Sequence, residues 1–203
     1  MFFTRRGLEQ ASVPRLAEYK ASRFQSLENV ADVCCGIGGD LLSLARREQA
    51  DNPEALTAKT IGVEIDELTS LFARKNLDAY SLRPDLADVR QIDFSDFDLS
   101  KLDGIHVDPD RRVQERTVHG SRFLPSLPDV FQRLSSDCTA AIKVAPATPQ
   151  AGYFPPNNIG PRSSRKHNFN FCAKTEEKTH SVFFFSCSFG QWFEELLLLD
   201  LLS

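Results

Sequence analysis

The residues best equipped for chemistry fall at regular intervals along the first half of the chain. Asp32-Val33-Cys34-Cys35-Gly36-Ile37-Gly38-Gly39-Asp40 sets glycines between two acids. Glycines let the backbone turn sharply and let a ligand approach main-chain atoms that a Cβ would shield. Glu64 follows downstream; a carboxylate there can accept hydrogen bonds from both hydroxyls of a ribose. Asp93 is placed to receive an exocyclic amine such as that of adenine, although Asp96 and Asp98 compete with it for the same role. Asp108-Pro109-Asp110-Arg111-Arg112 comes last and is expected to face the reacting end of a ligand. A glycine-rich turn alone is a weak signal. The loop with Glu64, Asp93 and Asp108 in order, each ending an apolar run, is a strong one.

The loop also discriminates among nucleotides. It lacks the third glycine of the dinucleotide fingerprint and the Gly-Lys-Ser/Thr ending of a phosphate loop. Asp32 and Asp40 add negative charge beside it. That disfavours a pyrophosphate and favours a cation, such as a ligand with a sulfonium and an ammonium group.

The elements that must position these residues alternate. Apolar residues from Leu8 to Phe24 fall at roughly helical spacing, with Pro14 near a helix start. Asn29–Cys34 is a short apolar run ending in glycines, which suits a buried parallel strand. A helix over 40–47 follows, then a strand Thr60–Ile65 and a helix Glu67–Tyr80 whose inner face draws on Leu68, Leu71, Phe72, Ala73 and Leu77. Weaker strands are read at Asp88–Ile92 and Gly104–Val107, an amphipathic segment at Ser121–Leu134, and a fifth strand at Thr139–Val144. Such alternation predicts an α/β fold: a Rossmann-like, mainly parallel sheet with flanking helices, joined by right-handed crossovers. The expected division is a helical segment over 1–28, a nucleotide-binding core over 29–148, and a divergent Pro/Phe-rich segment over 149–203. That last segment holds eight of the sixteen phenylalanines, and only Ser181–Phe185 reads as a strand in it. The final strands of the sheet are therefore expected to be incomplete or divergent.

Asp32-x-Cys34-Cys35-Gly36-Ile37-Gly38-Gly39-Asp40, Val63-Glu64-Ile65-Asp66, Asp93 and Asp108-Pro109 together resemble the ordered motifs of class I S-adenosylmethionine-dependent methyltransferases. Leu8-Glu9-Gln10-Ala11-Ser12, Ala21-Ser22-Arg23-Phe24 and the Asp-Pro-x-Arg-Arg element narrow the resemblance to the bacterial THUMP-like methyltransferases, more distantly related to trimethylguanosine synthase. It covers roughly Thr4 to Thr148. It implies that S-adenosylmethionine packs against Gly36 and Gly38, with Asp32 near its methionine amine, Glu64 on the ribose and Asp93 on the adenine. Cys34, Asp40, Ile65 and Phe94, beside these positions, complete the expected cofactor set. Asp108 and Pro109 border the acceptor pocket and form the expected catalytic pair.

The acceptor is less legible. Methyltransferases acting on planar exocyclic amines commonly carry Asp/Asn-Pro-Pro-aromatic here, whereas this chain has Asp110-Arg111-Arg112 after Pro109. Methyl transfer from a sulfonium is an in-line displacement, so the protein aligns donor and acceptor and removes a proton where one must leave. Asp108 is suited to orienting or deprotonating the acceptor. Arg111 and Arg112 either bind an anionic substrate such as a phosphate bidentately or form structural salt bridges. RNA or another phosphate-bearing molecule is the leading acceptor; a small molecule, or cofactor binding without catalysis, are the rivals.

Other residues read more plainly. Asp66 is an expected helix cap. Cys34 and Cys35 are expected to pack as small residues rather than act as nucleophiles. His106, between Ile105 and Val107, reads as a satisfied core histidine. Arg116, His119 and Arg122, with Arg162, Arg165 and Lys166, either extend a basic rim or are solvated. Net charge is −4, which gives no global case for nucleic-acid binding. No metal-ligand spacing occurs, the five cysteines show no disulfide pattern, and no apolar run is long enough for a membrane span. With no secretory signal at Met1–Arg6, a cytoplasmic location is expected.

Overall fold

The structure is a computed structural model that describes residues 1–47, 58–109, 125–135, 137–144, 168–175 and 178–186; the last two ranges are described as backbone. The first strands are short and carry apolar residues such as Val30, Val33, Ile61, Val63, Ile105 and Ile142. They are β1 (Asn29–Val33), β2 (Lys59–Glu64), β3 (Ala87–Gln91), β4 (Gly104–Val107) and β5 (Thr139–Val144). All five pair in parallel, in the order β3-β2-β1-β4-β5. The chain thus winds outward from β1 to β3 and then returns to the other side of β1. This reversal opens a crevice beyond the carboxyl ends of β1 and β4, where open α/β sheets bind ligands.

Two further strands extend the sheet. β6 (Asn168–Thr175) and β7 (Lys178–Ser186) form an antiparallel hairpin, and β7 runs alongside β5 in parallel register, Ala140 opposite Val182 and Lys143 opposite Phe185. Among the described residues the sheet therefore has seven strands, and the expected Rossmann-like, mainly parallel sheet is present. The sequence does hold a signal for β6: Phe169 and Phe171 alternate with Asn168 and Asn170, the period of a strand.

The helices cover both faces. Ala31 and Val33 of β1 cluster with Ile105, Val107, Ala140 and Ile142 under Leu127, Val130 and Leu134 from α5 (Leu127–Arg133) and its end. Val30, one residue out of phase, packs with Ala21, Phe24 and Leu44 on the opposite face. That face carries α2 (Pro14–Ala21) and α3 (Gly39–Ala45). By the same alternation Asp32 lies on the α2/α3 side of the sheet. α4 (Glu67–Ala79) completes this layer through Ala73 and Leu77, which meet Leu41, Leu42 and Val89.

Two helix boundaries and one helix face differ from the pattern in the sequence. The periodic stretch from Leu8 to Phe24 is two helices, α1 (Arg5–Gln10) and α2, because Pro14 starts a new helix at its first position, where its missing N–H costs nothing. The Ser121–Leu134 stretch becomes helical only from Leu127, capped by the Ser126 hydroxyl on the Asp129 N–H; residues 121–124 lie outside the described residues. On α4 the inner face is Ser70, Ala73, Asn76 and Leu77, while Leu68 and Leu71 are 50% and 44% exposed. Two fully buried polar residues, Ser70 and Asn76, hold the positions that leucines were expected to take. Asn76 is kept there by backbone partners: its amide donates to the carbonyls of Ile37 and Phe2 and accepts from the Phe2 N–H. Arg47 plays a similar part at the opposite end of the sheet, donating to the carbonyls of Phe24, Leu27, Glu28 and Leu44 and to the Thr60 hydroxyl. No described helix is long and apolar enough to cross a membrane.

Candidate functional site

The loop between β1 and α3 is built from left-handed residues. Cys34, Gly36 and Gly38 have φ of +58°, +56° and +88°. At Gly36 a Cβ would meet nothing within 4 Å, so the loop presents bare backbone to open space there. Gly38 is closely packed instead, with Ala73 of α4 at 3.5 Å from the position of its absent Cβ. The first glycine leaves a cradle, and the second brings helix and loop together.

Backbone hydrogen bonds pin the neighbouring strand ends to this loop. Cys35 N–H donates to Val63, Ile92 N–H to Glu64, and Asp108 N–H to Val33. Glu64 closes β2 with its carboxylate under the loop. One oxygen accepts from the Gly36 N–H at 3.0 Å and the other from the Asp66 N–H at 3.0 Å. A carboxylate has about four lone-pair sites, so two remain for a ligand's hydroxyls. Asp66 caps α4 through the Thr69 N–H, as its sequence context suggests. Ile65 is 57% exposed beside Glu64.

The three remaining acids have distinct surroundings. Asp32 is 1% exposed, and one of its oxygens lies 2.7 Å from His106 Nδ1. Burial pushes its carboxyl above the usual value, His106 opposes that, and the charge of Asp40 adds to it. Asp40 is buried beneath the loop with Lys20 Nζ 2.5 Å from Oδ1 and the Ser12 hydroxyl donating to Oδ2 at 2.8 Å. Burial would raise this carboxyl too, but Lys20, His106 and Ser12 together hold it below the usual value. Asp40 therefore spends its charge on α2. The electrostatic case for a cationic ligand passes to Asp32 and Glu64.

Asp93 is exposed and turns back on its own chain, accepting from the Ser95 N–H and hydroxyl at 2.8 Å; these bonds hold its carboxyl below the usual value. Phe94 is buried in the core against α5, under the Arg133 guanidinium 4.5 Å from its ring. Arg133 also donates to the carbonyls of Phe94 and Phe97, which locks the turn after β3. Cys34 is half-buried, and the Cys35 thiol is buried and pushed well up by desolvation, which leaves it inert.

Asp108 stands beyond β4 with buried Pro109 after it. Its carboxylate is 2.6 Å from Lys143 Nζ on the neighbouring strand β5, and both side chains are partly open, 27% and 20% exposed. Lys143 is a site residue that sequence reasoning misses. Its signal is a single cation near the end of an otherwise apolar strand, and only the adjacency of β4 and β5 gives it a partner. Arg111 and Arg112, and the basic residues from Arg116 to Arg122 and Arg162 to Lys166, lie outside the described residues. Among the described residues no group of three or more His, Cys, Asp or Glu side chains has metal-binding geometry.

No family model matches the sequence, and no curated protein matches it. Solved structures do. A protein of Porphyromonas gingivalis W83 described as a candidate methyltransferase is 24% identical, with a TM-score of 0.54 over 70% of this chain and 34% of its own. The fold is that of the Rossmann-like methyltransferases. Weaker likenesses include a SAM-dependent O-methyltransferase of Thermotoga maritima, 22% identical over 49% of this chain and 36% of its own, TM-score 0.42. Another is an RNA methyltransferase of Salinibacter ruber in complex with S-adenosyl-L-homocysteine, 20% identical over 62% and 72%, TM-score 0.43. The chain spans about a third of the length of the first two. Within this fold, Gly36 and Glu64 are hydrogen-bonded to each other, and Asp32 and Asp108 lie at the ends of the adjacent strands β1 and β4, on either side of which the strand order reverses. Asp40 is paired with Lys20 and Ser12, one oxygen of Asp93 accepts from Ser95, and Phe94 is buried in the core.

Proposed function

We propose that this chain binds S-adenosylmethionine at the carboxyl ends of β1 to β3 and transfers its methyl group to an acceptor held at Asp108 and Pro109. The observation that carries the reading is the brace between Glu64 and Gly36: a strand-end carboxylate tied to a left-handed glycine whose outer face is empty. It fits an adenosine, with the ribose hydroxyls on the spare lone pairs of Glu64 and the ligand's length against the bare backbone. Asp32, buried with one oxygen that has no hydrogen-bond partner among the described residues, fits the amino end. When bound, the group supplies an electrophilic methyl on a sulfonium.

The protein's part is alignment. Asp108 and Lys143 offer an acceptor oxygen and ammonium donors side by side, suited to orienting an acceptor that both gives and receives hydrogen bonds. Arg111 and Arg112 follow after Asp110 in the sequence and would grip a phosphate, so RNA or another phosphate-bearing molecule is the preferred acceptor class. The proposed setting is cytoplasmic.

Calorimetric titration with S-adenosylmethionine and S-adenosylhomocysteine tests the cofactor assignment, and absence of saturable binding would sink it. Glu64→Ala should weaken binding by about tenfold to a hundredfold while unfolding stays cooperative. Labelled methyl transfer to total RNA, protein and small-molecule extracts then sorts the acceptors. Transfer to small molecules alone would replace the RNA reading, and binding without any transfer would leave a non-catalytic cofactor-binding protein.

A further inference from the structure

Beneath the glycine loop, two buried polar atoms have no hydrogen-bond partner among the described residues and stand at opposite ends of a single contact: Asp32 Oδ2 and His106 Nε2. The contact joins Asp32 Oδ1 to His106 Nδ1 at 2.7 Å, and the two residues are register neighbours on the parallel strands β1 and β4. Both are essentially inaccessible to solvent. A histidine kept solely for packing is poorly explained here. Ile105 and Val107, on either side, are equally buried without polar atoms to desolvate, and a buried nitrogen without a partner costs free energy. The same holds for the second oxygen of Asp32, whose strand ends one residue later in the cofactor loop. Neighbouring charges do not fill that oxygen's demand. Lys20 is taken by Asp40 and Ser12, and Glu64 faces the Gly36 and Asp66 N–H groups.

We infer that His106 is a positioning residue for the methyl donor. It occupies one oxygen of Asp32 and fixes the carboxylate so that the other receives the ammonium of the donor's amino-acid end, directly or through one water. Burial favours the neutral form of this carboxyl, and His106 opposes that. Removing the imidazole would thus cost the site both an orientation and an attraction. The inference rests on the cofactor reading above, and the closing experiment separates the two.

S-adenosylhomocysteine carries the amino-acid end; 5′-methylthioadenosine shares its adenine, ribose and thioether but lacks that end. Calorimetric titration of both into wild type, His106→Ala and His106→Asn should give a ligand-selective result. His106→Ala loses about tenfold or more in affinity for S-adenosylhomocysteine and little for methylthioadenosine. His106→Asn regains most of the loss, since its amide reaches the position of Nδ1. Asp32→Asn, which keeps the shape of the pair, supplies the same selective loss if His106→Ala does not fold. In wild type the ring-nitrogen resonances of His106 should shift with S-adenosylhomocysteine and stay put with methylthioadenosine. Equal losses for both ligands, or none, would overturn the inference and leave His106 a packing residue. Wild type that binds both ligands equally would overturn the Asp32 contact while sparing the adenosine site. Wild type that binds neither would overturn the cofactor reading and the inference together.

Discussion

Asp32 and Asp40 flank the same glycine loop, are both buried, and have been put to opposite uses. Asp40 meets a cation at one oxygen and a hydroxyl at the other, and its network ties α2 and the Ser12 segment to α3. Among the described residues Asp32 has one partner, His106, and one oxygen without a hydrogen bond, at the point where the sheet gives way to the loop. Among the described residues, one carboxylate thus has an ion pair and a hydrogen bond, and the other a single contact with His106. The difference lies in what surrounds each residue, since their types and their place beside the loop are alike.

The contrast is broken most forcefully by removing one partner of the closed network. Lys20→Ala should cost about 3–5 kcal/mol in urea unfolding, because it leaves the Asp40 charge buried without its cation. Lys20→Met with Asp40→Leu should recover most of that, since an apolar pair replaces the ions together. If Lys20→Ala unfolds like wild type, the network is not what anchors α2.

The proposed acceptor side supplies a third, more open carboxylate, Asp108. Lys143→Ala should lower methyl transfer by roughly tenfold to a hundredfold through loss of alignment at Asp108, while cofactor affinity holds. A fall in cofactor affinity instead would move Lys143 to the donor side of the crevice.

Titration sharpens the contrast between the two buried acids. The Asp40 carboxyl sits below its unfolded value of 3.8, so its contribution to stability is present above that value and is lost as pH falls through the folded one. The Asp32 carboxyl sits above 3.8, so its contribution is present below 3.8 and is lost as pH rises through the folded value. Relative to wild type, Asp40→Asn should therefore grow less harmful toward acid, and Asp32→Asn less harmful toward neutral pH. Unfolding midpoints taken between about pH 3 and pH 8 check this, and slopes of the same sign would refute it. The smallest effect belongs to the loop itself. Cys34 holds a left-handed φ of +58°, so Cys34→Gly should be near neutral, with a gain of about 0.5 kcal/mol by thermal unfolding.

Much of this architecture is legible in the residues because its signals are local. The apolar runs at Asn29–Val33 and Gly104–Val107 end in residues that cannot continue a strand, and the alternation of strand and helix leaves few ways to wind the sheet. What stays hidden depends on contacts far apart in the chain. The commitment of Asp40 to Lys20 requires α2 to lie on α3, and the pairing of Asp108 with Lys143 requires β4 beside β5. The inner face of α4 is misleading for a related reason. Leucine at helical spacing is the stronger local signal, yet Ser70 and Asn76 are the residues with partners inside.

Asn76 fastens two distant pieces of backbone at once. Its amide bonds both the N–H and the carbonyl of Phe2 and also the carbonyl of Ile37, so it behaves as a stretch of main chain lent by a helix. Substitutes fail on different counts: aspartate brings no donor, leucine neither donor nor acceptor, and glutamine the right group one methylene too far. The demand at this position is set by backbone geometry rather than by any neighbouring side chain. Through it the first residues of the chain and the glycine loop share one clasp, and slackening either end would be felt at the other.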